Sequence, residues 1–306
     1  MKKILVAILC LWAFGVSQVV AQQSIVALHH GGQVTLFSGG HLQDAVNTMA
    51  DGDTLYLSPG LYDGFEMVNA SNRAIIGAGE TTQIRGSVTY HGTKDLTFIG
   101  LNISGTLTHN GPITNLFISQ CQCAGFILNY EMYNATIVQS YIKGEIRGGG
   151  TGLSGADGNI FIACKVDNAG VNFGSLGAFQ FINCNIGVTP SSNSDAYTTF
   201  QNCIVRIANQ GIFENCCLGQ NSTQFYGNSK TISCYDVSNN NVLNTSTMEP
   251  SYAFDATTHL GSDGTQCGIY GGSMPYTLEL PTPKVSSQSL TVDQVQKKLN
   301  VTLTIE

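Results

Sequence analysis

The sequence predicts an all-β solenoid, and three observations carry that expectation: a pattern recurring about every twenty residues, a composition poor in charge and rich in turn formers, and a single helix-forming stretch ahead of the first repeat. The recurring segments are FIGLNI (98–103), FISQCQC (117–123), IVQSYI (137–142), FIACKV (161–166), FINCNI (181–186), FQNCIV (200–205) and IFENCC (212–217). Aligned on one column, Leu101, Cys121, Ser140, Cys164, Cys184, Cys203 and Cys216 follow one another at steps of 20, 19, 24, 20, 19 and 13 residues. One such unit cannot bury its apolar face until neighbours stack on it, so the repeats are expected to form successive coils.

Composition agrees. Only 11% of the 306 residues are charged, and the 35 glycines, with abundant asparagine, suit many tight turns and few exposed helices. The formal charge is -7, and loss of Lys2 and Lys3 with the leader takes it to -9. A net acidic chain with thirteen basic residues offers no electrostatic footprint for nucleic acid.

Residues 1–21 carry Lys2 and Lys3, an apolar run from Ile4 to Val16, and small residues through Ala21, the pattern of a secretory signal peptide cleaved after Ala21. That run is too short to span a bilayer as a helix, and no transmembrane segment is expected elsewhere. Leu9 stands where lipidation of Cys10 would need a small residue, so lipid attachment is not expected. The expected location is secreted, periplasmic or cell-surface.

Nine cysteines remain, which in an exported chain raises disulfides as one reading. Alternation favours the other, because it turns the column inward among apolar residues, and parallel side chains in an in-register ladder fit a disulfide dihedral poorly. Buried thiols acting as small hydrophobes are therefore expected, with disulfides the alternative. Cys121 with Cys123, and Cys216 with Cys217, lie close in sequence, but no histidine accompanies them at ligand spacing. No metal and no cofactor are expected.

Along the chain, Gln33 to Phe37 alternates as a strand. Leu42, Ala45, Val46 and Met49 fall at helical spacing, Gly52 stops that helix, Thr54 to Leu57 alternates as a strand, and Pro59-Gly60 makes a turn. The helix is placed to cover the open end of the solenoid core. This cap (41–64) resembles the amino-terminal cap of the pectate-lyase-like superfamily of right-handed parallel β-helices, with Leu42, Ala45, Val46, Gly52, Asp53, Leu55, Leu57, Pro59, Gly60 and Tyr62 matching. The resemblance implies a right-handed parallel β-helix with three strands per coil.

That superfamily also places an amide residue in the left-handed turn between its second and third strands. Asn183, Asn202 and Asn215 stand there, with Gln120 and Gln139 in earlier coils. Asn tolerates positive φ, and its side chain is expected to bond to its copy in the next coil. GSVTYHG (86–92) and GTLTHNG (105–111) overlay as first strands, so Val88, Leu107, Ile127 and Ile146 are expected inward. The Gly-rich stretch 148–159 reads as an insertion projecting from one face. Residues 252–272 resemble the closing coil of bacterial secreted β-helix proteins, through Gly261, Asp263, Gly264, Gly268, Tyr270, Gly271 and Gly272. The β-helix is thus expected over 22–272. A β appendage fills 273–306, ending on a strand in which Leu299, Val301, Leu303 and Ile305 alternate.

Chemistry is harder to read. The superfamily contains lyases, hydrolases, esterases, tailspikes and inert surface proteins, and the acidic motifs of its hydrolases and esterases are absent. One constellation stands out. Lys143, Asp167 and Arg206 share a position just past the third strand of their coils, and Lys143, Glu145 and Arg147 alternate onto one face. Tyr141 and Lys165 adjoin them. A lyase would need a basic side chain to take a uronate C5 proton and a cation for the enolate; a solvated ladder of opposite charges is the simpler reading. Tyr130, Tyr133 and Tyr141 offer a sugar-stacking platform. His91 and His109, at neighbouring strand ends, are expected to be exposed. The expected function is a non-catalytic surface for a polysaccharide or cell-envelope glycan, with a polysaccharide lyase as the alternative.

Overall fold

The structure is a computed structural model that describes residues 24–148, 158–171, 179–189, 198–221, 230–237, 241–280, 285–293 and 298–305. The expected signal peptide (1–21) and most of the 148–159 insertion lie outside these residues. Among the described residues, 22 strands join one sheet that winds into a parallel β-solenoid of about seven turns. A separate two-stranded sheet lies at the carboxy-terminal end.

The amino-terminal cap has more parts than a helix. β1 (Ile25–His30) and β2 (Gln33–Ser38) form a hairpin turned by Gly31 and Gly32, and β1 also pairs antiparallel with β3 (Thr54–Leu57). Strand β1 thereby covers the edge that the first coil would otherwise leave unpaired. Between them α1 (Leu42–Thr48) buries Leu42, Ala45 and Val46 against the core. The matched cap residues have distinct tasks. The buried Asp53 accepts the Ala50 amide at 2.7 Å and meets His30 Nδ1 at 2.7 Å, while Gly52 adopts φ 91°. The Tyr62 hydroxyl donates toward the Ile25 carbonyl at 3.0 Å, tying β1 to the first coil.

Long bent strands open the solenoid: β4 (Gly60–Ile76), β5 (Thr82–Ile99) and β6 (Asn102–His109). Shorter pieces then repeat, with β7 (Ile113–Thr114), β8 (Phe117–Ser119) and β9 (Gln122–Leu128) in one coil and β10 (Met132–Tyr133), β11 (Thr136–Val138) and β12 (Tyr141–Gly148) in the next. Later coils contribute pairs: β13 (Asn159–Ile162) and β14 (Lys165–Val171), β15 (Phe179–Ile182) and β16 (Asn185–Val188), β17 (Thr199–Gln201) and β18 (Ile204–Ala208), β19 (Ile212–Glu214) and β20 (Cys217–Asn221), and finally β21 (Lys230–Ile232) and β22 (Tyr235–Asp236).

Inside, in-register pairing stacks like on like. Phe161, Phe181, Phe200 and Phe213 form a ring ladder with successive centroids 4.7, 5.1 and 5.0 Å apart, all fully buried. Such spacing follows from the interstrand distance, and each buried ring contributes on the order of 2 kcal/mol. The cysteine column runs beside it as free thiols. The amides of Cys164, Cys184 and Cys203 each point at the sulfur one coil on, at 3.4 Å, and each of these thiols donates to the carbonyl two residues before it.

Three expectations need correction. Phe126 and not Ile127 follows Val88 and Leu107 inward, because β6 has one residue more than β9 between Ile103/Cys123 and Leu107/Phe126. A single-residue slip exchanges the two faces of a strand. His109 is fully buried between Tyr90 and Leu128, not exposed. Finally, residues 252–272 do not close the helix as a coil. Residues 241–280 contain no strand and pack along the outside of the solenoid as a strap. The carboxy-terminal hairpin pairs β23 (Val285–Asp293) with β24 (Lys298–Ile305), which puts a strand at the expected end.

Candidate functional site

The strap explains what the amide column does. Gln120, Gln139, Asn183, Asn202 and Asn215 all adopt φ between 48° and 54°, the left-handed turn expected for them. Several of their groups hold the strap and not one another. The Gln120 side-chain amide donates to the Glu279 carbonyl at 2.5 Å and that of Gln139 to Pro275 at 2.6 Å. Asn202 receives the Ser262 amide on Oδ1 at 2.9 Å and the Gly268 amide on its carbonyl at 2.7 Å. Asn185, just past the turn, donates to Met248 at 2.7 Å and accepts from the Ile269 amide at 3.2 Å. From Ser262 to Glu279 the strap therefore runs back toward the first coils. A side-chain bond from coil to coil does occur in a second left-handed column that sequence reading missed, where the Asn115 amide donates to the Asp95 carboxylate at 2.8 Å.

Strap and solenoid leave a groove of about 1110 Å³ between them. Gln122, Tyr141, Lys143 and Lys165 form its solenoid wall; Glu249, Tyr270, Tyr276 and Glu279 stand on the strap wall, and Gly77 to Thr81 close one end. β9, β12 and β14 position the first wall, for Gln122, Tyr141 and Lys165 are successive partners in register on the outer face. Lys165 is nearly buried. Its ammonium pairs with Glu249 and lies 5.6 Å from the Tyr141 ring centre and 4.5 Å from that of Tyr276. The Tyr270 hydroxyl donates to the other Glu249 oxygen at 2.7 Å. A desolvated ammonium between two aromatic faces and a carboxylate is held in one position.

One step along the same strands, Tyr141 donates its hydroxyl to Asp167 at 3.2 Å, and Lys143 Nζ lies 5.7 Å from the Tyr141 ring centre. Burial, then the Asp167 charge, pushes the Tyr141 hydroxyl up to about 12. Burial raises the Asp167 carboxyl, opposed by the Tyr141 hydroxyl, Arg206 and Lys143 in that order. Arg206 acts across an intervening coil whose residue in this column is Gly187. A Cβ there would lie 2.2 Å from the Asp167 carbonyl oxygen, so the column is bare between the two charged side chains.

The structure therefore groups Tyr141, Lys143, Asp167 and Arg206, with Lys165 adjoining. Of these, Tyr141, Lys143 and Lys165 line the groove while Asp167 and Arg206 lie beside it; Glu145 and Arg147 do not line it either, and they follow the register shift of β12 against β14 beyond Ile142. Of the three tyrosines read as a platform, Tyr141 is buried in this cluster, while Tyr130 and Tyr133 lie before β11 and outside the groove lining. Sequence reading missed Glu249, Tyr270, Tyr276 and Glu279, which lie 84 or more residues beyond Lys165 and carry no repeat signal. Among the described residues no three His, Cys, Asp or Glu side chains gather as a metal site, and no helix is long and apolar enough to cross a membrane. No protein-family model, curated protein or solved structure matches the chain.

Proposed function

We propose that this chain is an exported, non-catalytic β-helix of the pectate-lyase-like kind that binds a polysaccharide or cell-envelope glycan in the groove between solenoid and strap. The observation that carries this reading is the groove lining: Tyr141, Tyr270 and Tyr276 gathered about Lys165, with exposed Lys143 at the mouth. Tyrosine faces suit the apolar faces of pyranose rings, and amide, hydroxyl and ammonium groups around them suit sugar hydroxyls and carboxylates. The leader at residues 1–21 supports export. Calorimetric titration with neutral and uronate-containing oligosaccharides tests the reading. Replacing Lys143 and Arg206 together by alanine is expected to weaken a uronate ligand by about tenfold or more, through the charged hydrogen bond of Lys143 in the groove and the lost charge of Arg206 beside it, without unfolding the solenoid. Unchanged affinity in that variant and in Tyr276→Ala would overturn it.

A lyase reading has one observation in its favour, the Asp167 carboxyl held between Tyr141 and the two cations. In that reading Lys143 or Arg206 takes the C5 proton and the other cation faces the enolate. Ultraviolet absorbance from an unsaturated product in the same titrations distinguishes it.

A further inference from the structure

Two thiols lie outside the inward ladder, one on each side of the seam between strap and solenoid. Cys217 opens β20 with its side chain on the outer face, and Cys267 belongs to the strap; both are fully buried in one cluster with Ile204, Val242, Leu243 and Met248. His259 links them. Its Nδ1 lies 3.8 Å from the Cys217 sulfur, and its carbonyl accepts the Cys267 amide at 2.9 Å. The Cys267 thiol donates to the Asn215 carbonyl at 3.2 Å, two residues before Cys217. Nδ1 of His259 also accepts the Asp255 amide at 3.1 Å, which selects the tautomer with the proton on Nε2.

We propose that Cys217 and Cys267 form a disulfide site, at which a small disulfide donor such as oxidised glutathione cross-links the strap to the solenoid. The ladder thiols are poor candidates by comparison. They repeat on parallel strands in register and point the same way, whereas a disulfide needs a dihedral near ±90° and converging side chains. Cys217 and Cys267 come from two different elements, strand and strap, that share one buried cluster, with the Cys267 sulfur 3.2 Å from the Asn215 carbonyl two residues before Cys217.

While the strap is docked, burial holds the Cys217 thiol up at about 12 and unreactive, so exchange starts when the strap lifts. The Cys267 thiolate attacks one sulfur of the donor and releases one thiolate, leaving a mixed disulfide. Before the strap closes again, Cys217 gives its proton to solvent and its thiolate attacks the Cys267 sulfur, which expels the second thiolate. Two protein thiols are oxidised to one disulfide, and the donor is reduced to two thiols, each leaving with one proton. The strap carries Glu249, Tyr270 and Tyr276, so the cross-link also fixes the second wall of the groove.

The test is a disulfide map of the full chain after equilibration with reduced and oxidised glutathione, free thiols being alkylated before digestion. The expected result is one disulfide, Cys217 to Cys267, with the seven thiols from Cys121 to Cys216 and Cys234 alkylated. Proteolysis within the strap should slow by about tenfold on oxidation. Cys267→Ser should abolish the cross-link while Cys121→Ser leaves it; should Cys267→Ser fail to fold, the wild-type map alone decides. A map joining ladder cysteines to one another, or both Cys217 and Cys267 alkylated at every donor ratio, overturns the proposal.

Discussion

Cys234 is the half-exposed end of the thiol ladder, and the cysteines before it are buried. Burial pushes Cys121 and Cys123 up to about 12, so neither offers a thiolate at neutral pH. The Cys216 thiol and then burial raise Cys234 as well, so access decides: with the reduced protein, Cys234 is expected to react with a thiol reagent about a hundredfold faster than the inner ladder, which reacts only through unfolding. Comparable rates for Cys184 and Cys203 would mean that the column does not face inward. His109 gives a second handle. Neither ring nitrogen has a well-formed hydrogen bond, and burial, opposed only in part by the Gly111 and Tyr130 backbone, lowers its pKa from 6.5 to about 4. The unfolded chain therefore binds the His109 proton more tightly than the folded one. Stability from this residue is full above about pH 6.5 and is lost as pH falls toward 4, a change on the order of 3 kcal/mol. Denaturant titrations of wild type and His109→Leu across that window should diverge in slope; parallel curves would place the ring in water.

At the scale of single elements, the repeated pattern was legible because each strand needs only a period of two and each turn only one permissive residue. Cap helix, cap strand β3, ladder and left-handed amides all follow from such local demands. The Ile127 expectation failed because a bulge between β6 and β9 depends on pairing and leaves no mark in composition. Asn202 combines two demands, a φ of 54° and the bond from Ser262. Asn202→Gly should keep the turn and lose about 1 kcal/mol with the bond, whereas Asn202→Ala also strains the backbone and should lose about twice that. Equal losses would show that the strap contact is immaterial. Gly187 tests close coil approach in the same way. An added methyl 2.2 Å from the Asp167 carbonyl should cost on the order of 2 kcal/mol or more, with chemical denaturation as the readout.

For the whole molecule, the decisive contact is the least local one. Half of the groove comes from a repeat-free strap, so sequence reading reached Tyr141, Lys143 and Lys165 on the solenoid wall and not the Glu249, Tyr270 and Tyr276 on the strap wall. Charge scarcity singled out Glu145 and Arg147 along with Lys143, and the register shift of β12 beyond Ile142 leaves those two outside the groove lining. Without the strap, Ile204 and Cys217 lose their cover. Ending the chain at residue 240 should therefore leave a β-rich circular dichroism spectrum with a lower melting temperature and new binding of a hydrophobic dye; an unchanged melting temperature would make the strap an ornament. The groove itself is tested most directly by amide hydrogen exchange with and without a saturating oligosaccharide. Protection is expected in two distant stretches at once, the solenoid wall around Tyr141 to Lys143 and Lys165, and the strap from Ser246 to Glu249 and Tyr270 to Leu280. Protection confined to the Glu145 and Arg147 face or to the edge bearing Tyr130 and Tyr133, with the strap unchanged, would contradict it.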